Sequence, residues 1–139
     1  MLLLFLVELN KAVVTKLNDM NFGEFIERHK EIVIKFTVTW CEHCKTLDAI
    51  FKDINLNYIL NCTLAEIDAE ESPLASKFYN ITEYPTLLVV TGKYIYRYNW
   101  EDEIKSVVKF IKRVIDPYPV KTSIELIDQD HELKVVSIY

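Results

Sequence analysis

The chain has 139 residues, 50% of them apolar and 27% charged, with a formal net charge of −5. That is enough apolar material for one domain with a full core, and an acidic balance without a long basic run argues against nucleic acid as a partner. Two glycines and four prolines leave no long flexible linker, and three cysteines are too few for a disulfide scaffold.

In chain order, the apolar start Met1-Leu2-Leu3-Leu4-Phe5-Leu6-Val7 is too short to span a bilayer. It lacks a basic n-region and runs straight into Glu8, so residues 1–12 read equally as a signal remnant or as an edge segment. Residues 12–17 read as a short strand. A helix follows from about Asn21, with Phe22, Phe25 and Ile26 on one face. Residues 32–38 are nearly all apolar and β-branched, as in a central strand buried on both faces.

Directly after that strand comes Trp40-Cys41-Glu42-His43-Cys44. Two cysteines three positions apart, at a strand end and a helix start, read as a dithiol/disulfide redox pair. Unpaired backbone N–H groups and the helix dipole favour an anion there, which for the first cysteine is the reactive thiolate. Leu47, Ile50, Phe51 and Ile54 then repeat at i, i+3, i+4, i+7 and predict a long amphipathic helix.

Residues 63–68 form the next strand. Ser72-Pro73 reads as an N-cap with proline at the first helical position, opening a short helix expected to bury Leu74 and Phe78. Residues 86–91 and 94–98 flank Gly92-Lys93 as an antiparallel hairpin, in which Tyr94, Tyr96 and Tyr98 alternate. The last clear helix covers residues 101–114, with Ile104, Val107, Val108 and Ile111 on its apolar stripe. Asp116-Pro117-Tyr118-Pro119 breaks the chain. A short helix at 123–130 and a strand at 134–139 complete the expectation. Residues 13–116 would thus form one domain, with 117–139 an extension or the start of a further domain. The order β-α-β-α-β-α-β-β-α predicts an α/β fold with a mixed sheet of about five strands and helices on both faces.

The remaining cysteine, Cys62, is flanked by Leu60 and Leu64 and reads as a buried free thiol. A zinc site would have to draw on Cys41, Cys44, Cys62 and His43, and His43 lies between the two motif cysteines, so no metal is expected. Two glycosylation sequons, Asn61-Cys62-Thr63 and Asn80-Ile81-Thr82, lend weak support to a secretory location.

These elements resemble the thioredoxin fold, and within it the catalytic domain of the protein disulfide isomerase family. The resemblance runs from about Val14 to Val114. It rests on Phe36 followed by Trp40-Cys41-Glu42-His43-Cys44-Lys45, on Asn21-Phe22 and Phe25-Ile26, on Ile67-Asp68-Ala69, and on Tyr84-Pro85-Thr86 about forty residues beyond the cysteines. It implies a Cys41–Cys44 disulfide, with Cys41 as nucleophile and Cys44 as resolving residue. It also implies a cis Pro85 facing the dithiol, although few X–Pro bonds are cis. The backbone of Tyr84 would bind an extended peptide, with Trp40 contributing packing and substrate surface.

His43 matches the isomerase branch, where an imidazole beside the thiolate stabilises the reduced form. Two departures matter. Glu42 replaces the usual glycine and opposes His43, since a nearby carboxylate disfavours a thiolate. Lys35 replaces a buried carboxylate that serves as proton acceptor for the second cysteine. Three readings stand for Lys35: a neutral proton-transfer group, a charge favouring thiolates, or a side chain whose ammonium snorkels to solvent. The family's arginine after the fifth strand is not matched, because Arg97 lies upstream.

The implied function is a thiol–disulfide oxidoreductase and isomerase acting on unfolded or misoxidised polypeptides. It would use small thiols such as glutathione or an upstream oxidase, with no cofactor, no nucleic acid and no membrane span. The implied location is the endoplasmic reticulum lumen or another secretory compartment. A cytoplasmic thioredoxin-type reductase, and a chaperone or binding module with weakened redox activity, are the alternatives.

Overall fold

The computed structural model describes residues 13–99, 101–115 and 134–137. The apolar start through residue 12, the proline break and the helix expected at 123–130 lie outside the described residues. Strand β2 (Glu31–Thr37) organises the rest, and no residue from Ile32 to Phe36 is more than 4% exposed. Its run of β-branched residues suits a strand covered on both faces. β3 (Thr63–Asp68) lies parallel to one side of it, and β1 (Thr15–Leu17) parallel to β3. On the other side β4 (Thr86–Thr91), β5 (Tyr94–Arg97) and β6 (Lys134–Ser137) follow in antiparallel order. The sheet order is β1-β3-β2-β4-β5-β6. The mixed sheet is as expected, with a sixth strand beyond the expected five, because residues 134–137 find their partner in β5.

Alternation along β2 sends its side chains into two interiors. Ile32, Ile34 and Phe36 enter a cluster with Leu88, Val90 and Ile95, against which Phe22, Phe25 and Ile26 of helix α1 (Phe22–Arg28) pack. Val33 enters the opposite cluster, with Leu47, Phe51 and Ile54 of α2 (Glu42–Asn57) and Val107, Phe110 and Ile111 of α4 (Ile104–Ile115). Burial of each such side chain stabilises the fold by about 1.5–3 kcal/mol. The β4–β5 turn needs a left-handed residue and has Gly92 there, at φ +55°.

The short helix α3 (Pro73–Phe78) corrects two expectations. Leu74 and Phe78 are 62% and 52% exposed, whereas Ala75 and the following Tyr79 are buried. The buried pair keeps the i, i+4 spacing but is rotated by one residue, about 100°. Ser72 does occupy the N-cap position, with Pro73 at the start, but its hydroxyl makes no capping bond. Asp19 does that work from the β1–α1 connection, its carboxylate accepting from the backbone N–H of Leu74 at 3.1 Å and of Ala75 at 2.9 Å. A cap of this kind is worth about 1 kcal/mol and here also fixes the rotation of the helix.

Candidate active site

The site begins where β2 ends. The chain leaves the sheet through Val38-Thr39-Trp40, and Cys41 becomes the N-cap of α2 with extended backbone (φ −97°, ψ 115°). Its Sγ accepts a hydrogen bond from the backbone N–H of Cys44 at 3.1 Å, so sulfur satisfies one of the donors a helix start leaves unpaired. Cys41 and Cys44 form a disulfide with Cα atoms 5.3 Å apart. Cys41 is 7% and Cys44 2% exposed.

Around them Val38 and Ala69 form a small apolar cluster against which Tyr84 packs. The Tyr84–Pro85 peptide bond is cis. Trp40 is 68% exposed, so it is far more surface than core packing. Its ring meets Tyr84 edge-on at 6.1 Å, and its Nε1 donates to Glu70 Oε1 at 2.5 Å. Glu70 is held in turn because Asp68 Oδ1 accepts from the backbone N–H groups of Glu70 and Glu71. The dithiol, Trp40 and Tyr84 therefore meet at one end of the sheet.

Glu42 and His43 sit exposed on the first turn of α2. The Glu42 carboxylate pairs with Lys45 Nζ at 2.9 Å, which offsets its charge next to the dithiol, though weakly at so exposed a place. Lys35 does not snorkel. It is 4% exposed, and its ammonium makes ion pairs with Asp48 of α2 and with Glu66 of β3, the latter at 3.0 Å. Asp48 and Glu66 were missed by the reading of the sequence. The signals were present: Asp48 interrupts the apolar stripe one turn after Cys44, and Glu66 stands directly beside Lys35 in the β2–β3 register.

Arg97 plays no part here. Its guanidinium donates to the carbonyls of Tyr79 and Asn80 at the end of α3, at 3.5 Å and 3.3 Å. Cys62 packs against the α2–α4 cluster beside Leu60. Burial, reinforced by the Glu31 carboxylate, pushes its thiol up to about 12. Thr63 pairs with Ile32 at the far end of β2, which puts Cys62 roughly 16 Å or more from the dithiol by strand rise. Among the described residues no helix is long and apolar enough to cross a membrane.

Comparison with known proteins agrees with this geometry. The Thioredoxin family model matches residues 13–113. The chain is 32% identical over 121 residues to "Protein disulfide isomerase-like 1-2" of Oryza sativa subsp. japonica, covering 82% of this chain and 23% of that one. It is 31% identical over 125 residues to "Protein disulfide-isomerase 1" of Caenorhabditis elegans, covering 87% and 25%. The chain thus spans about a quarter of the length of the curated relatives it matches. Among solved structures, the first thioredoxin domain of mouse protein disulfide-isomerase A4 superposes with a TM-score of 0.65 at 23% identity, over 78% of this chain and 81% of that one. Schistosoma mansoni thioredoxin does so with a TM-score of 0.61 at 25% identity, over 73% and 95%. A model match across most of the chain, on a mixed sheet whose central strand delivers a cysteine pair to a helix start, shows that this chain belongs to the thioredoxin family.

Proposed function

We propose that the chain is a thiol–disulfide oxidoreductase of the protein disulfide isomerase type, exchanging disulfides with polypeptides. The carrying observation is the Cys41–Cys44 pair at the start of α2, with Cys41 Sγ accepting from the Cys44 N–H. In the reduced state the same N–H and the helix dipole favour a thiolate at Cys41, which attacks a substrate disulfide to give a mixed disulfide. Cys44, one turn along, then closes on Cys41 and releases the substrate thiol. In the opposite direction a substrate thiolate attacks the disulfide. His43 adds positive charge or a hydrogen bond at the exposed helix start.

The substrate strand lies along Tyr84-Pro85, pairing with backbone in β-fashion and resting on the exposed Trp40 ring. Residues 13–116 are the catalytic unit in this reading. Its setting is an oxidising secretory compartment, where glutathione or an upstream oxidase resets the dithiol. The sequence resemblance to proteins named protein disulfide isomerase supports that setting.

Equilibration with glutathione buffers, followed by alkylation and mass measurement, tests the proposal. A cycling Cys41–Cys44 disulfide with a midpoint near about −180 mV supports oxidation and isomerisation, and one near about −270 mV supports reduction instead. A pair that never cycles removes the enzyme reading and favours a binding module.

A further inference from the structure

Lys35 is the charged exception inside an apolar strand, 4% exposed. Its Nζ pairs with Asp48 and with Glu66 and lies 5.2 Å from the centre of the Phe51 ring. Asp48 is the informative partner. On α2, Cys44, Leu47 and Phe51 are buried at i, i+3 and i+7, and Asp48 takes the i+4 place in that stripe. Amphipathic periodicity calls for an apolar residue there.

Side chains one turn apart on a helix stand about 5–6 Å apart at Cβ and lean toward the N-terminus. Asp48 therefore leans toward Cys44. Lys35 pairs with its carboxylate, yet the Asp48 side chain as a whole is 51% exposed, whereas Cys44 is 2% exposed. Along this helix face a buried sulfur at Cys44 is followed, one turn on, by a carboxylate half open to water.

We infer that Asp48 accepts the proton of Cys44 when Cys44 resolves the mixed disulfide, and that Lys35 is the positioning residue that keeps this carboxylate in reach. The inference rests on the exchange reading above. In the step, the Cys44 S–H bond breaks and its proton passes to an Asp48 oxygen, directly or through one water. The sulfur electron pair forms the bond to Cys41 Sγ. The bond between Cys41 and the substrate sulfur breaks, and its pair leaves on the substrate as a thiolate. The dithiol is oxidised and the substrate disulfide reduced, so no other oxidant is needed. Asp48 then loses the proton to water at its exposed edge.

Asp48 and Glu66 share the one Lys35 ammonium, which holds both carboxylates at the same place on the sheet. The charged groups facing Asp48 are Lys35 from β2 and Glu66 from β3. β4 and α4 close the same cluster with Leu87, Val89, Val107 and Phe110, none of which titrates. On α2 itself, Lys45 pairs with Glu42, and Lys52 stands one turn beyond Asp48.

Reduced protein mixed with oxidised glutathione, quenched in acid and weighed by mass spectrometry, separates the two chemical steps. The first phase, formation of the glutathione adduct, reports attack by Cys41, and wild-type protein that forms no adduct sinks the exchange reading itself. The second phase, loss of glutathione to form Cys41–Cys44, reports this inference. Asp48→Asn should slow the second phase about a hundredfold and flatten its fall toward acid pH, and Asp48→Glu should restore most of the rate. A wild-type second phase in Asp48→Asn overturns the inference. So does a slowed phase that keeps the wild-type pH profile and is not rescued by glutamate, since that marks a structural role alone. If Asp48→Asn fails to fold, Asp48→Glu carries the test, and an unshifted pH profile there counts against the inference.

Discussion

The two faces of β2 solve the same packing problem with different chemistry. Toward α1 and α3 it presents Ile32, Ile34 and Phe36 to a cluster whose buried members are apolar apart from the hydroxyl of Tyr79. Toward α2 and α4 it presents Val33 and then Lys35, whose ammonium is enclosed with two carboxylates beneath the helix that carries the dithiol. The first face supports the fold through packed apolar volume. The second holds charge, which the low-dielectric interior makes costly unless paired, and one of the pairing residues, Asp48, comes from α2 one turn after Cys44. The difference teaches that two faces of one strand can be filled by different physics, packed volume on one and paired charge on the other.

The sharpest way to separate the two faces is to remove volume from the first. Phe36 is fully buried and meets Tyr79 edge-on at 5.6 Å. Phe36→Ala should cost about 3–5 kcal/mol in urea denaturation while leaving the Cys41–Cys44 midpoint where it was. A shifted midpoint at that position would mean the faces are not independent.

On the second face, Lys35→Met keeps the length of the stem and removes the charge. Its partners are 51% and 27% exposed, so they regain water, and the cost should be about 1–3 kcal/mol, smaller than for Phe36→Ala. The same variant should move the redox midpoint, because a positive charge beneath the dithiol is gone. A stability loss as large as that of Phe36→Ala, with an unmoved midpoint, would make Lys35 a packing residue and erase the contrast.

The smallest effect concerns Cys62, which packs on the same α2–α4 face but far from the site. Its thiol is raised from 9.0 to about 12, by burial first and by Glu31 second. A raised value means the folded state holds the proton more tightly than the unfolded chain. That contribution is fully present below about pH 9 and is lost as pH climbs toward 12. Tyr98, also raised to about 12 by burial and nearby carboxylates, adds to the same decline. Stability measured between pH 8 and 11 should therefore fall less steeply in Cys62→Ala than in wild type. Parallel curves would mean the thiol is not held in its neutral form by the fold.

Much of this was legible in the order of residues. The continuous apolar run of β2 and the i, i+3, i+4, i+7 stripe of α2 needed only local periodicity, because each element's own pattern states which faces must be buried. Gly92 marked the hairpin for a local reason as well. The cysteine pair was recognisable from type and spacing, whereas a cis Tyr84–Pro85 bond was expected only from the family resemblance, and that bond is cis. The orientation of α3 was not legible. Leu74 and Phe78 have the right spacing for a buried face, but the rotation is set by Asp19, 55 residues upstream of Leu74.

Lys35 marks the boundary between the two kinds of knowledge. By itself the sequence determined the sheet's core strand, the helix that starts at Cys41, and the presence of a lysine where the surrounding pattern is apolar. It could not choose among a neutral, a charged and a snorkelling side chain, because that choice depends on what stands beside the ammonium in space. Only the tertiary structure shows that the Lys35 side chain stays buried and which carboxylates it meets. The β2–β3 register brings Glu66 alongside, and the crossing of α2 brings Asp48 from above. Electrostatic energy falls off with distance and rises as water is excluded, so a buried charge is governed by neighbours remote in the chain, whereas a strand or a helix is largely governed by neighbours within it.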